Sequence, residues 1–430
     1  MSSALQADIV IVGAGPAGLF AGIAALETDP HARVIIVEHQ KKPGRKLLVT
    51  GGGQCNFTHG GSIKDFIEHY GPAGAKIRKV LYAMSNEGVR AWFSRHGVET
   101  IERDDGKVFP RSLAAGDVLK ALRESFEALG GTLLCETEPT QFDVKGGPLG
   151  CRLELLGKGG EISISVHSCI IAAGGITYPK TGSDGSFVKM LEPVFKQHSI
   201  RFSSFSPALT PLYPEAYPFA SLEGFSLPVL LWFEKETKAK LEQKGLLFRA
   251  DSFSGPAAMD ASVCGDVGDA FFINFVPDES RPVQEVAADM LKQSRLTKKE
   301  ISTFVASFFD LPKKLAEALI CWGMPADFKK LYARDMSKAE CILLCERILR
   351  ARFVVKKRGS SGEGMVSRGG VALEEILLPQ MSLKKAPCIF VTGEFVDVTG
   401  DTGGYNLQWA FSSGYLAGRS AAQALLPKEL

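Results

Sequence analysis

Hydrophobic periodicity divides the chain before any single motif does. Positions 8–12 (DIVIV) are apolar without alternation, as in a strand buried on both faces, and 19–26 continue as an Ala-rich helix. Positions 34–37 (VIIV) repeat the buried-strand pattern and end in Glu38. The same reading predicts helices over 88–96 and 115–129, and strands over 131–136, 151–156 and 161–173. At about 206 the texture changes. SPALTPL brings in two prolines, strand-like runs follow at 227–233, 245–248 and 271–275, and 278–352 then turns helical. After a Gly- and Ser-rich stretch at 358–370, a buried strand at 388–391 and a helix at 407–426 close the chain. No internal repeat or low-complexity tract interrupts this layout.

Between the first strand and the first helix lies Gly13-Ala14-Gly15-Pro16-Ala17-Gly18. In a strand-turn-helix context this spacing is the dinucleotide fingerprint. The first glycine makes the tight turn, the second lets backbone N–H groups approach a pyrophosphate, and the third brings helix close to sheet. The helix start then offers its partial positive charge to the phosphates. Glu38 follows at the fingerprint's distance of about 20 residues. A carboxylate there accepts from a ribose diol and repels a 2′-phosphate, so NADP is disfavoured while FAD and NAD remain open.

The next segment decides between them. Residues 41–59 (KKPGRKLLVTGGGQCNFTH) carry three consecutive glycines beside Arg45 and Lys46, a segment an NAD domain does not need. Such a backbone can run flush against a flavin and donate its amides to phosphate or flavin oxygens. Near the C-terminus, Gly393-Glu394 follows the last strand, where a flavoprotein places an acid against ribityl hydroxyls. GGYN at 403–406 then opens the final helix. Its amides are placed to face the flavin N1 and O2 edge, where negative charge gathers on reduction.

Four stretches carry a family resemblance: GRKLLVTGGGQCNFTH, KVFPRSLAAGDVLKAL (107–122), AAGGITYPKTGSDG (172–185) and GEFVDVTGDTGGYNLQWAFSSGYLAG. They resemble the bacterial flavoprotein family with aminoacetone-oxidase-type and bile-acid-reductase-type (BaiN-like) members, over nearly the whole chain. The resemblance implies an α/β fold, with FAD in a discontinuous Rossmann-type domain that encloses a β-barrel-like and helical region. By that plan the FAD domain spans 1–205 and 371–430, the barrel-like domain 206–277 and 351–370, and the helical insertion 278–350. Motif by motif, it implies FAD contacts at Gly13, Gly15, Ala17, Gly18, Glu38, Arg45, Lys46, Thr50, Gly51, Gly52, Gly53, Asn56, Ala173, Gly393, Glu394, Gly404, Asn406 and Leu407. The chain departs from the family pattern at Gln54 and His59, at QMSLK (380–384), and at Ala250 in RADSFSGP, where a histidine is usual.

At 430 residues the chain exceeds the size of a single core, so two or three domains are expected. Its 50 basic and 48 acidic residues are dispersed, which argues for a small-molecule substrate and against nucleic acid as a partner. No apolar run approaches ~18 residues, and no leader precedes the first strand, so a cytoplasmic protein away from membranes is expected. Nine cysteines form no C-x-x-C pair and no metal-like cluster with histidine, and no metal is expected. Cys341 and Cys345 read as small buried hydrophobes on a helix, and Cys55 as a packed turn residue. No motif specifies an oligomeric state.

The chemistry expected is hydride transfer through the flavin to or from a small organic substrate. No second G-x-G-x-x-G follows residue 180, so NADH or NADPH, as reductant, would dock transiently. The proton donor is unassigned: Tyr178, Tyr405 and Lys180 flank flavin-facing turns, and the seven histidines form no visible relay. Three other readings stand beside a reductase: an oxygen-using amine oxidase, a flavin-dependent RNA-modifying enzyme, and a non-catalytic flavin redox sensor.

Overall fold

The computed structural model describes residues 5–144, 150–235, 241–324 and 331–426. The chain divides into two compact units, Met1–Ala208 with Gly364–Leu430, and Leu209–Glu363.

The first unit is built on a parallel sheet of β1 (Ile9–Val12), β2 (Val34–Glu38), β3 (Thr132–Cys135), β4 (Ser168–Ile171) and β5 (Ala386–Val391), in the order β3-β2-β1-β4-β5. This is the doubly wound arrangement, with the order reversing between β1 and β4. Two short antiparallel strands, Ile376–Leu377 and Ser382–Leu383, extend it beyond β5. Every residue of β1, β2 and β4 is buried, as the unbroken apolar runs require of strands covered on both faces. Three helices supply much of that cover: α1 (Pro16–Thr28), α2 (Ala115–Ala128) and α3 (Tyr405–Gln423).

One expected strand proves to be two. Residues 161–173 split at His167 into Gly160–Val166, in an antiparallel meander with Glu138–Val144 and Cys151–Gly157, and β4, the neighbour of β1. The split follows burial. Gly160–Val166 has solvent-facing positions among its buried ones, as in a strand with one wet face, whereas β4 is buried throughout.

The second unit holds a closed six-stranded barrel, in the order Leu212–Pro214, Phe253–Ser254, Lys244–Phe248, Ser226–Phe233, Ala270–Asn274, Ala351–Arg358. Phe219, Phe248, Phe253, Phe271 and Phe353 form a continuous set of ring contacts in its core. Helices Val283–Ser294, Ile301–Phe309, Lys313–Gly323 and Lys338–Leu349 share that core and do not form one of their own. Trp322 stacks on Phe353 at 4.9 Å, and Cys345 Sγ lies 3.6 Å from Met290 Sδ with Cys341 buried nearby.

The chain re-enters the first unit earlier than its composition suggests. Phe202–Ala208 pairs antiparallel with Val366–Val371, matching Pro207 with Ser367. Residues 206–208 and 366–370, expected in the barrel, therefore pair with each other's strands inside the first unit. Backbone pairing sets this boundary, and the Gly and Ser content of 358–370 conceals it.

Candidate functional site

The carboxyl ends of β1 and β4 meet where the strand order reverses, which is where doubly wound sheets bind ligands. Gly13 turns the chain there with φ +102°, and a Cβ on it would lie 2.5 Å from the Ala172 carbonyl oxygen. A Cβ on Gly18 would lie 1.9 Å from the Gly13 oxygen. Gly15 differs from both, because nothing stands within 4 Å of its would-be Cβ. Two glycines thus weld helix to sheet, and the third faces open space. Gly15 also caps α1, where no side chain bonds the helix start and no acid occupies the first turn. Its N–H groups are set for an anion.

Glu38 ends β2 with a buried carboxylate that accepts from the Ala14 amide at 3.0 Å and the Gln40 amide at 2.9 Å. It therefore ties the end of β2 to the glycine turn, an intramolecular task its spacing alone does not reveal. The loop after β4 returns to this end: Gly182 (φ +103°) abuts His39 and Gln40. Arg45 is exposed and donates to the Gln40 side chain.

Leu47–Gly53 forms a 3-10 segment broken at Thr50, with Gly51 and Gly52 left-handed at φ +56° and +65°. Both are exposed, and Gly52 has open space where a Cβ would stand. Leu48 and Val49 lie exposed beside them, Thr50 Oγ1 donates to the Leu47 carbonyl, and Gly53 is left-handed as well. Asn56 Oδ1 is buried with no hydrogen-bond partner. Cys55 is fully buried and its thiol is pushed up to about 12 by burial, which favours the protonated thiol and the packed-turn reading.

Lys46 does not extend into solvent. Its Nζ donates to Glu394 Oε2 at 2.7 Å and to Thr177 Oγ1 at 2.7 Å. Glu394 Oε1 in turn accepts from the Ser367 amide at 2.7 Å and from Thr177 Oγ1 at 3.2 Å. Ser367 Oγ accepts from the Ile176 amide at 2.8 Å. Three segments distant from Glu394 in sequence thus converge on its carboxylate, and sequence reasoning had singled out only Lys46 and Glu394. Thr177 and Ser367 carried no local signal.

At the end of β5, Gly393 (φ +62°) sits against Ala17, with 2.9 Å between its would-be Cβ and the Ala17 Cβ. Its carbonyl accepts from Trp409 Nε1 at 2.9 Å and its amide donates to Ser413 Oγ at 3.0 Å. Gly404 (φ +101°) caps α3 with no side-chain bond, and no acid lies in the first turn, where Leu407 sits. Asn406 is spent on the preceding loop, accepting from the Gly400 amide and donating to the carbonyls of Gly400 and Asp401. The turn containing Ala173 completes the set between β4 and Gly174 (φ +71°).

Two histidines that looked scattered are neighbours. His59 and His69 both pack parallel to the Tyr405 ring, at 5.2 and 4.1 Å between centroids, and His69 Nδ1 lies 3.1 Å from Asp401 Oδ2. Tyr405 itself is 3% exposed, a packing aromatic at the start of α3.

These residues fit a flavin dinucleotide. Gly15 and Gly52 leave space a side chain would fill, two helix starts lack caps, and a buried amide oxygen lacks a partner. Glu394 departs from the simple expectation, since both its oxygens already accept from protein donors.

Residues 7–420 match the HI0933-like protein Rossmann domain. A ribosomal RNA dihydrouridine synthase of Escherichia coli is 28% identical, the match covering 95% of this chain and 96% of that protein. A 3-dehydro-bile acid delta(4,6)-reductase of Clostridium scindens is also 28% identical, over 96% of this chain and 99% of the relative. In fold, the chain resembles a 3-ketosteroid-delta4-(5alpha)-dehydrogenase of Rhodococcus jostii, with a TM-score of 0.52 at 15% identity over 97% of each chain.

Proposed function

The chain belongs to the HI0933-like Rossmann family and is a flavin-dependent oxidoreductase, and from that premise we propose that it reduces a carbon–carbon double bond conjugated to a carbonyl in a small organic substrate. NADH or NADPH serves as the transient reductant. When bound, FAD supplies the hydride-accepting and hydride-donating atom. The protein's part is to hold and polarise. Gly15 and the α1 amides take the pyrophosphate, and Glu38 takes the ribose. Gly51 and Gly52 give a side-chain-free wall, and the α3 amides favour negative charge at the ring edge.

One observation carries the flavin reading: the helix starts at Gly15 and Gly404 both lack side-chain caps, and Gly15 and Gly52 leave open space where a side chain would stand. The choice of bond rests on the relatives' names. A dihydrouridine synthase and a delta(4,6)-reductase both saturate a double bond conjugated to a carbonyl. A second reading, reduction of uridine in ribosomal RNA, is favoured by the first of those names. A net charge of +2 with dispersed basic residues weighs against it, because nucleic-acid affinity rests chiefly on neutralising phosphates.

The test begins with colour. The purified protein should be yellow, and NADH or NADPH should bleach it without oxygen. Stoichiometric cyclic enones and 3-oxo-delta4 steroids should then restore the colour faster than ribosomal RNA fragments do. A protein that stays colourless with excess FAD sinks the flavin reading. Recolouring by RNA alone would move the assignment to the second reading, and bleaching by amines without nicotinamide would make the protein an oxidase.

A further inference from the structure

We propose that Lys46 and Glu394 act as an opposed pair of charges that sets how strongly the site prefers reduced over oxidised cofactor, and thereby the driving force of hydride transfer. The proposal rests on the flavin reading and concerns which half of the cofactor the pair meets. Along the carboxyl edge of the sheet the site runs in a fixed order. Glu38 stands at β2, Gly13 and Gly15 at β1, Ala173 to Thr177 after β4, and Gly393-Glu394 after β5. The ribose marker lies at the first of these and the phosphate turn at the second. A dinucleotide laid along this edge therefore brings its redox-active half to the β4 and β5 turns, where Lys46 Nζ is held 2.7 Å from both Glu394 and Thr177.

Several features mark this pair as more than a surface ion pair. The side chains are only 21% and 18% exposed, which limits screening by water. Lys46 reaches its partners from the glycine-rich segment after β2 and is fixed by two acceptors. Glu394 is fixed by three protein donors: Lys46, Thr177 Oγ1 and the Ser367 amide. A Cβ on Gly175 would fall 2.8 Å from Glu394 Oε1, so the backbone closes against the carboxylate. Two charges locked at one place contribute opposite fields. Adding a hydride brings negative charge to the cofactor, which the ammonium favours and the carboxylate opposes.

The consequence is a difference in sign. Lys46→Met leaves the carboxylate alone and should weaken binding of reduced relative to oxidised FAD about tenfold, lowering the two-electron potential by about 30 mV. Glu394→Gln leaves the ammonium alone and should shift the ratio about tenfold the other way. Thr177→Val keeps both charges but frees the lysine from one acceptor, and should move the ratio two- to threefold in the Lys46→Met direction. Lys46→Arg should stay within about twofold of the parent. Potentials are read by anaerobic equilibration of each FAD-saturated holoprotein with a dye of known potential, alongside FAD affinity from fluorescence. A purely structural role would weaken both redox forms alike and leave the potential unmoved. Shifts of the same sign in Lys46→Met and Glu394→Gln, or no shift in either, overturn the proposal. An unmutated protein that takes up no FAD instead removes the flavin reading beneath it.

Discussion

Where α1 meets α3 in the first unit, the contact is backbone against backbone. A Cβ on Gly414 would lie 2.4 Å from the Ala17 oxygen, and one on Gly418 only 1.9 Å from the Ala21 oxygen. In the barrel of the second unit the contact is ring against ring, with Phe253 within 5.1 to 6.2 Å of five aromatic centroids: Tyr217, Phe219, Phe248, Phe271 and Phe353. The first mode allows no added atom and fixes the register of α3 along α1, with Gly414 level with Ala17 and Gly418 with Ala21. The second buries large area and tolerates small shifts of each ring. A site that aims two sets of amides at one ligand needs the first kind of packing, while a barrel needs only to be filled.

The sharpest way to break this comparison is to add carbon where there is no room. Gly418→Val should abolish soluble, folded protein, because its branches meet the α1 backbone, which cannot swing aside as a side chain can. Expression and circular dichroism check this, and a stable Gly418→Val protein would mean the helices can separate. Removing a whole ring from the other unit should cost less. Phe253→Ala is expected to lose about 3–5 kcal/mol, measured by urea unfolding of the full chain, with the far-ultraviolet spectrum of the remaining fold retained.

A smaller effect separates the two units by their helix starts. Helix Lys338–Leu349 in the second unit has a complete capping box, Ser337 with Glu340, whereas α1 and α3 begin at bare glycines. Ser337→Ala should destabilise by about 1 kcal/mol whether or not FAD is present. Excess FAD, by contrast, should raise the melting temperature of the first unit, since its open helix starts gain a ligand. Equal sensitivity of both units to FAD would blur the distinction.

The smallest expected effect is one of pH. The Tyr213 hydroxyl and the Ser360 amide hold the Glu363 carboxyl down at about 2, against an ordinary 4.5. A depressed carboxyl contributes stability above its unfolded value and loses it as pH falls from about 4.5 towards 2. Glu363→Gln should therefore lower the second unit's stability in the neutral region and flatten its acid limb, so that the two profiles converge as pH falls towards 2. An acid limb identical to the parent's would show that the Tyr213 contact contributes nothing in solution.

Much of the first unit was legible because its signals are local. Unbroken runs at β1 and β2 mean burial on both faces, and the glycine spacing at 13–18 describes one turn within one strand-helix junction. The strand over 161–173 misled because two different environments abut at His167 with no turn residue between them. The 206 and 370 boundaries misled because a ladder between Phe202–Ala208 and Val366–Val371 joins segments about 160 residues apart. Around the candidate site, Glu38 stands out in the sequence by its distance from the glycines, while Thr177, Ser367, Ser413 and the His59, His69 and Asp401 neighbourhood of Tyr405 do not. Each of these acts through a partner on another element.

By itself the sequence determined that a dinucleotide turn begins the chain, that an acid follows at ribose distance, and that a second glycine-rich helix start lies near the end. These are short-range facts, fixed by backbone conformation and periodicity. Tertiary structure alone decided that Lys46 meets Glu394 across 348 residues, that Gly414 and Gly418 press α3 onto α1, and that Asn406 holds a loop. Side chains of ordinary type acquire such roles only when folding brings their partners within hydrogen-bond reach, and nothing in their local sequence records who those partners are.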